Sequence, residues 1–83
     1  MSYVQYGLKI KKENVLIQGP VVFKTLYGSY TRAIIDPTGI DLINELDKII
    51  TQTGDYDHTF LEDIFKTDER KDGFDVWGVF LGS

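Results

Sequence analysis

The feature that most constrains the fold is a change in hydrophobic spacing near Asp36-Pro37. Before this point apolar and polar residues alternate, which is the period of a strand with one buried face, and after it apolar residues recur at helical spacing. The pattern predicts an α+β protein with a small antiparallel sheet packed against one long and one short helix. The sheet is expected to combine an N-terminal meander of three to four strands with a C-terminal strand, all within a single domain, 1–83.

The first strands are predicted from alternation and turn residues. A first strand over 3–11 is expected, because its apolar positions alternate with polar ones: Val4, Tyr6, Leu8 and Ile10. Glu13-Asn14 then indicates a tight turn that leads into a second strand. Gly19-Pro20 ends that strand, and a third is predicted over 21–27.

Gly28-Ser29 indicates a second hairpin, because glycine followed by serine between β-rich runs suits a type II′ turn. Counting outward from this turn pairs Phe23 with Ile34 and Val22 with Ile35. These pairs predict an antiparallel arrangement of the third and fourth strands.

The long helix is predicted from Thr38 to Thr53, with Asp36 as its cap and Pro37 at its first position. Gly54 is expected to end it. Its apolar positions follow helical spacing: Ile40, Leu42, Ile43, Leu46, Ile49 and Ile50.

The short helix is predicted after Thr59, because Thr59 and Glu62 have the spacing of a capping box. Its apolar side contains Phe60, Leu61, Ile64 and Phe65. Gly73 marks a turn, and a final strand over Phe74 to Leu81 is apolar on both faces, as in an inner strand or an oligomer contact. Trp77 on this strand is interpreted as a core residue, with an interface anchor as the alternative.

The charges of the chain are distributed unevenly. Residues 1–35 contain five basic groups and one acid, which gives +4, whereas residues 36–83 contain four basic groups and twelve acids, which gives −8. A negative surface speeds association with basic proteins and orients them. This asymmetry favours a non-catalytic module that binds a basic protein partner, and it suits a phage or mobile-element inhibitor that blocks a nucleic-acid-binding host protein.

The predicted partner-binding residues are acids of the second half, together with one exposed aromatic anchor. They are Asp41, Glu45, Asp47, Asp55, Tyr56, Asp57, Glu62, Asp63, Asp68 and Glu69. Phe74 is a further candidate anchor.

Two other binding functions remain open. Aromatic and basic residues of the predicted sheet are typical of a surface that binds single-stranded nucleic acid: Tyr3, Tyr6, Tyr27, Tyr30, Lys9, Lys24 and Arg32. The net charge of −4 disfavours this function, since phosphate attraction needs positive charge. The segment Asp55 to His58, followed by Glu62 and Asp63, offers oxygen ligands for calcium or magnesium but lacks the spacing of an EF-hand.

No motif indicates an enzyme or a cofactor. His58 is the single histidine, and no serine or threonine can be paired with it and a carboxylate by spacing alone, so the sequence does not predict a hydrolytic triad. The chain has no cysteine, its first residues lack a signal-peptide pattern, and its apolar runs are far shorter than a membrane span. We therefore expect a cytoplasmic protein without membrane contact, with a homodimer through the C-terminal strand as one possible assembly.

Overall fold

A computed structural model describes residues 2–83, in which the chain forms five strands and one helix. These elements are β1 (Gln5–Tyr6), β2 (Pro20–Thr25), β3 (Ile34–Ile35), α1 (Gly39–Thr53), β4 (Phe60–Lys71) and β5 (Phe74–Gly82). The α+β class is thus confirmed. The number of helices and the arrangement of the strands differ from the prediction.

All five strands belong to one mixed sheet with the order β1-β4-β5-β2-β3. β4 and β5 form an antiparallel hairpin, and β2 and β3 are also antiparallel. β2 pairs in parallel with β5, and β1 pairs in parallel with β4. The predicted antiparallel sheet is therefore wrong, because the chain crosses over through α1 between β2 and the β4–β5 hairpin.

α1 covers one face of this sheet and buries its apolar side there. Leu42, Leu46 and Ile50 of the helix are at most 2% exposed. They belong to one core cluster with strand residues that include Phe23 and Val79. Burying side chains of this size contributes about 1.5–3 kcal/mol each, so this layer is the main source of stability.

The helix has the predicted length, but its cap is Thr38 and not Asp36. The Thr38 hydroxyl accepts a hydrogen bond from the Asp41 backbone N–H, and the Asp41 carboxylate accepts one from the Thr38 N–H. Asp36 instead has a φ of 50° and accepts a hydrogen bond from the Gly19 N–H at 2.6 Å. Gly54, with a φ of 75°, ends the helix as predicted.

The predicted second helix is wrong, because residues 60–71 form the long strand β4. A β-bulge explains the misleading spacing. Leu61 pairs with Leu81 and Ile64 pairs with Val79, so one extra residue lies between two side chains that point to the same face. The bulge converts a spacing of two into a spacing of three, which resembles a helical pattern.

The predicted first hairpin is also wrong. Only Gln5 and Tyr6 form a strand, and residues 7–19 are irregular. This segment is held against the start of α1 through two backbone hydrogen bonds, from Ile40 N–H to the Lys12 carbonyl and from Leu16 N–H to the Pro37 carbonyl. Contact with the helix start replaces the expected strand pairing.

A turn is present here, but it is not centred on Gly28-Ser29: the Gly28 N–H donates to the Thr25 carbonyl, so Leu26 and Tyr27 are the central residues, and Gly28 follows them with a φ of 89°. The predicted register is wrong by two residues, since Ile34 pairs with Val21 and not with Phe23. The Phe23 N–H instead donates to the Thr31 hydroxyl at 3.0 Å. This side-chain bond interrupts the ladder, so the turn does not set the pairing of β3.

The C-terminal strand is confirmed, and of the two alternatives for it the structure shows an inner strand. β5 lies between β4 and β2, and Trp77 is half-buried against the core cluster. Both edges of β5 are paired, so a homodimer through edge pairing of this strand has no free edge to use. Within residues 2–83, no helix has the length and apolar character needed to cross a membrane.

Candidate protein-binding surface

The sheet face opposite α1, here called the open face, has no helix over it. Cross-strand pairing assigns side chains to this face, because paired residues point the same way. It carries Val22 and Lys24 of β2, Val76, Gly78, Phe80 and Gly82 of β5, and Phe60 and Phe65 of β4.

Three phenylalanines of the open face, Phe60, Phe65 and Phe80, form what we call the aromatic patch. Their exposed fractions are 37%, 37% and 43%. Exposure of this extent is notable for side chains on a sheet whose other face is buried, because each ring prefers to leave water. The patch is therefore the main apolar surface of the open face.

The bulge and two glycines, Gly78 of β5 and Gly7 after β1, position this patch. Phe60 and Phe65 both point to the open face although five positions separate them, since the bulge adds one residue between them. The Phe65 ring lies directly over Gly78, and the Phe60 ring lies against Gly7. A side chain at either glycine would overlap a ring, so the glycines allow the phenylalanines to lie flat on the backbone.

Glu62 and Asp63 lie beside the patch at the bulge. The Glu62 carboxylate lies over Gly82, and Asp63 pairs across the sheet with Phe80. Neither carboxylate forms an ion pair within 4.0 Å among residues 2–83. Lys9 lines the same depression at the edge of β4. The aromatic patch therefore has two carboxylates without an ion pair on its flank.

A group of polar side chains, here called the polar bridge, closes the other end of the open face. It consists of Lys24, Tyr30, Glu69 and Lys71. The Lys24 Nζ lies 3.0 Å from the Glu69 carboxylate, although β5 separates the strands that carry them. The bridge thus crosses over β5 and accounts for the burial of Val76 and Val22, which are 0% and 3% exposed on this face.

The hydrogen bonds of the polar bridge shift the ionisation of its members. The bond from the Tyr30 hydroxyl, followed by the bond from Lys24, lowers the pKa of the Glu69 carboxyl below its ordinary value. The bond to Glu69 raises the pKa of Lys24. Both shifts favour the charged forms, so Lys24 and Glu69 form an ionised pair near neutral pH.

Three predicted partner-binding acids belong to α1, on the other side of the sheet, and have structural partners. Asp41 caps the helix. Glu45 is buried and contacts Arg32 and Lys48 at 3.1 and 3.0 Å. Asp47 accepts hydrogen bonds from the backbone N–H groups of residues 3 and 4. These three carboxylates stabilise the fold and do not share a face with Glu62 and Asp63.

The remaining predicted residues are distributed around the molecule. Asp57 and Asp68 are exposed, and Glu69 belongs to the polar bridge. Tyr56 is 51% exposed and contacts the Tyr3 ring edge-on, with centroids 5.1 Å apart. The structure thus brings Glu62 and Asp63 together beside the aromatic patch and places the other predicted residues elsewhere.

A separate small cleft lies between the end of α1 and the turn after β2. His58 Nδ1 is 2.9 Å from the Asp55 carboxylate, and its Nε2 is 3.4 Å from the Tyr27 hydroxyl. The hydrogen bond with His58 lowers the pKa of Asp55. The cavity beside them measures 60 Å³ and has an apolar floor that includes Ile50 and Leu81. This group ties the loop before β4 to the β2 turn.

The geometry gives no support to the alternative ligands. Among residues 2–83, no group of three or more histidine and carboxylate side chains is placed to hold a metal ion. The tyrosines expected to form a stacking surface lie in different places: Tyr30 is in the polar bridge, Tyr27 contacts His58 and Tyr3 contacts Tyr56. A continuous row of rings for nucleic-acid bases is therefore not formed by them.

Comparison of the chain with protein-family models, with curated proteins and with solved structures finds no match. Its function has to be inferred from its own geometry.

Sequence reasoning missed the aromatic patch, because Phe60 and Phe65 were assigned to the buried side of a helix. A signal for the correct structure was present in Asp72-Gly73, which is typical of a type I′ hairpin turn. Both residues have positive φ, 53° and 83°. Read as a hairpin, this dipeptide predicts two adjacent strands over 60–71 and 74–82.

Proposed function

We propose that this protein is a non-catalytic module that binds a basic protein through the aromatic patch and the adjacent Glu62 and Asp63. The observation that carries the proposal is the presence of three exposed phenylalanines beside two carboxylates without ion pairs on an uncovered sheet face. Aromatic anchors with a charged rim are typical of protein interfaces.

The area of the patch sets its role in such an interface. A phenylalanine buries about 200 Å², so the exposed fractions leave roughly 230 Å² of aromatic surface in water. At about 25 cal/mol per Å², full burial yields roughly 6 kcal/mol. Association itself costs at least about 4 kcal/mol. The patch therefore acts as an anchor, and affinity depends on further contacts around it.

The charge of the protein supplies part of those contacts. Its net charge is −4, and Glu62 and Asp63 have no competing cation within 4.0 Å. These carboxylates favour lysine and arginine on the partner and repel acidic surfaces. A nucleic-acid-binding protein presents such a basic surface. We propose that the protein acts by covering this basic surface of its partner. It would do so in the cytoplasm, as a phage or mobile-element inhibitor.

The proposal is tested by capturing a partner from the source cells and measuring its affinity for defined variants. Phe80 is 43% exposed, which corresponds to about 85 Å² and, at about 25 cal/mol per Å², to about 2 kcal/mol. Phe80→Ala is therefore expected to raise the Kd about 30-fold. Ile40→Ala is the matched control, because Ile40 is 46% exposed on α1, away from the open face.

The affinity is also expected to fall as salt rises from about 0.05 to about 0.5 M, since added salt screens Glu62 and Asp63. If Phe80→Ala and Ile40→Ala change the Kd for the partner equally, the aromatic patch is not the binding surface. A captured partner with an acidic binding face, or one insensitive to salt, would contradict the proposed chemistry.

A further inference from the structure

The outer edge of β4 is poorly suited to the addition of a strand. β1 pairs with Phe60 and Leu61 only, which leaves most of this edge outside the ladder. The Ile64 N–H, however, donates to the Asp63 carboxylate at 2.9 Å. Register irregularities also interrupt β4 between Leu61 and Asp63 and between Lys66 and Arg70. Bulges and charges along an edge strand oppose regular pairing with another chain.

The open face itself presents side chains and no free backbone groups, because its strands pair with each other within the sheet. A partner segment on this face must therefore satisfy its own backbone hydrogen bonds. An α-helix does so internally, whereas an extended segment needs a strand edge. We infer that the segment bound on the open face is an amphipathic α-helix with lysine or arginine along one flank. This inference rests on the proposed function.

The polar bridge limits the length of that helix. It covers Val22 and Val76, so the surface left for the helix is the aromatic patch, which extends along β5 from Gly78, beneath the Phe65 ring, to Gly82, the partner of Phe60. Five residues of a strand span about 16 Å. A helix of about 11 residues, or three turns, has this length. A short helical segment is sufficient to cover the aromatic patch.

The charges beside the patch orient the helix. Glu62 and Asp63 lie on the side of β4, so the basic flank of the bound helix faces that strand. Helix α1 of a second copy does not fit this description. Its apolar side is buried in its own core, and two chains with a net charge of −4 repel each other. The complementary occupant is a helix of a basic protein.

The inference is tested with three synthetic peptides and the full ¹⁵N-labelled chain. The first is a stapled 14-residue helix with leucines at helical spacing and lysines on one flank. The second keeps the leucines and lysines of the first but has two central prolines and no staple. The prolines prevent helix formation. The third alternates leucine and lysine and favours strand addition. Amide chemical shifts report where each peptide binds.

The helical peptide is expected to shift the amides of Gly78, Phe80 and Gly82, with at least tenfold weaker binding to the Phe80→Ala variant than to Ile40→Ala. The proline peptide is expected to bind at least tenfold more weakly than the helix. Binding of the alternating peptide alone, with shifts at Ile64 and Lys66, would overturn the helical inference and leave the proposed function standing. If none of the peptides binds, and Phe80→Ala does not change the affinity for a captured partner, both the helical inference and the proposed function are overturned.

Discussion

Gly78 provides a direct test of the open face, because it lies beneath a ring of the aromatic patch. A Cβ built at Gly78 would overlap the Phe65 ring at Cε2 and Cζ, well inside the 3.5–4.0 Å of favourable carbon contacts. Inserting a methyl group into such a site costs about 1–3 kcal/mol. Replacing glycine by alanine also reduces the entropy of the unfolded chain, which offsets about 0.4–1 kcal/mol. Gly78→Ala is therefore expected to lower the free energy of unfolding by up to about 2.5 kcal/mol.

The same substitution in a Phe65→Leu background separates the steric cause from the backbone effect. Leucine lacks Cε2 and Cζ, so the overlap is removed, and Gly78→Ala is expected to become neutral or slightly stabilising there. The resulting coupling energy is about 1–3 kcal/mol. The free energy of unfolding is measured by urea titration for the wild type, the two single variants and the double variant. The fluorescence of Trp77, the single tryptophan, reports unfolding. Equal effects of Gly78→Ala in both backgrounds would refute the contact between Phe65 and Gly78.

Two further substitutions test the polar bridge and the helix cap. The pKa of Glu69 is lowered in the folded chain by Tyr30 and Lys24, so its stabilisation is present above the ordinary value of 4.5 and is lost as the pH falls through the folded value. The difference in unfolding free energy between wild type and Glu69→Gln should accordingly shrink on acidification from about pH 7 to about pH 3. Asp68→Asn is the control, and an equal pH dependence of both variants would rule out the bridge. Thr38→Ala should cost about 1 kcal/mol by removing the bond to the Asp41 N–H, while the exposed Thr51→Ala should change stability by less than about 0.5 kcal/mol. Similar losses in the two threonine variants would argue against the capping box.

The parts of the fold that depend on local pattern were predictable. α1 was found within one residue of its start because its apolar stripe and the glycine after it are both encoded in neighbouring residues. β5 was predicted as a strand that is apolar on both faces, with an inner position and an oligomer contact as the alternatives, and in the structure it lies inside the sheet. In both elements the local preference and the tertiary environment agree.

The candidate surface was less predictable, since it depends on one inserted residue. The bulge at Glu62 changed the spacing of Leu61 and Ile64 from a strand pattern to an apparent helical one. Glu62 and Asp63 were identified as candidate residues, but Phe80 and Phe65 were not. The predicted acids of α1 have partners in the structure, and although Glu45 and Lys48 have the i,i+3 spacing of a helical ion pair, no spacing rule reveals that Glu45 is buried or that Arg32 contacts it.

The α+β composition, the long helix, the C-terminal strand and the excess of acids in the second half all follow from the amino-acid pattern. Long-range contacts set the parallel pairing of β2 with β5, the inner position of β5, the bulge in β4 and the uncovered sheet face with its three phenylalanines. The physical reason is the range of the interactions involved. Helical spacing and caps act between residues a few positions apart, whereas strand order and burial depend on contacts between residues that are distant in the chain.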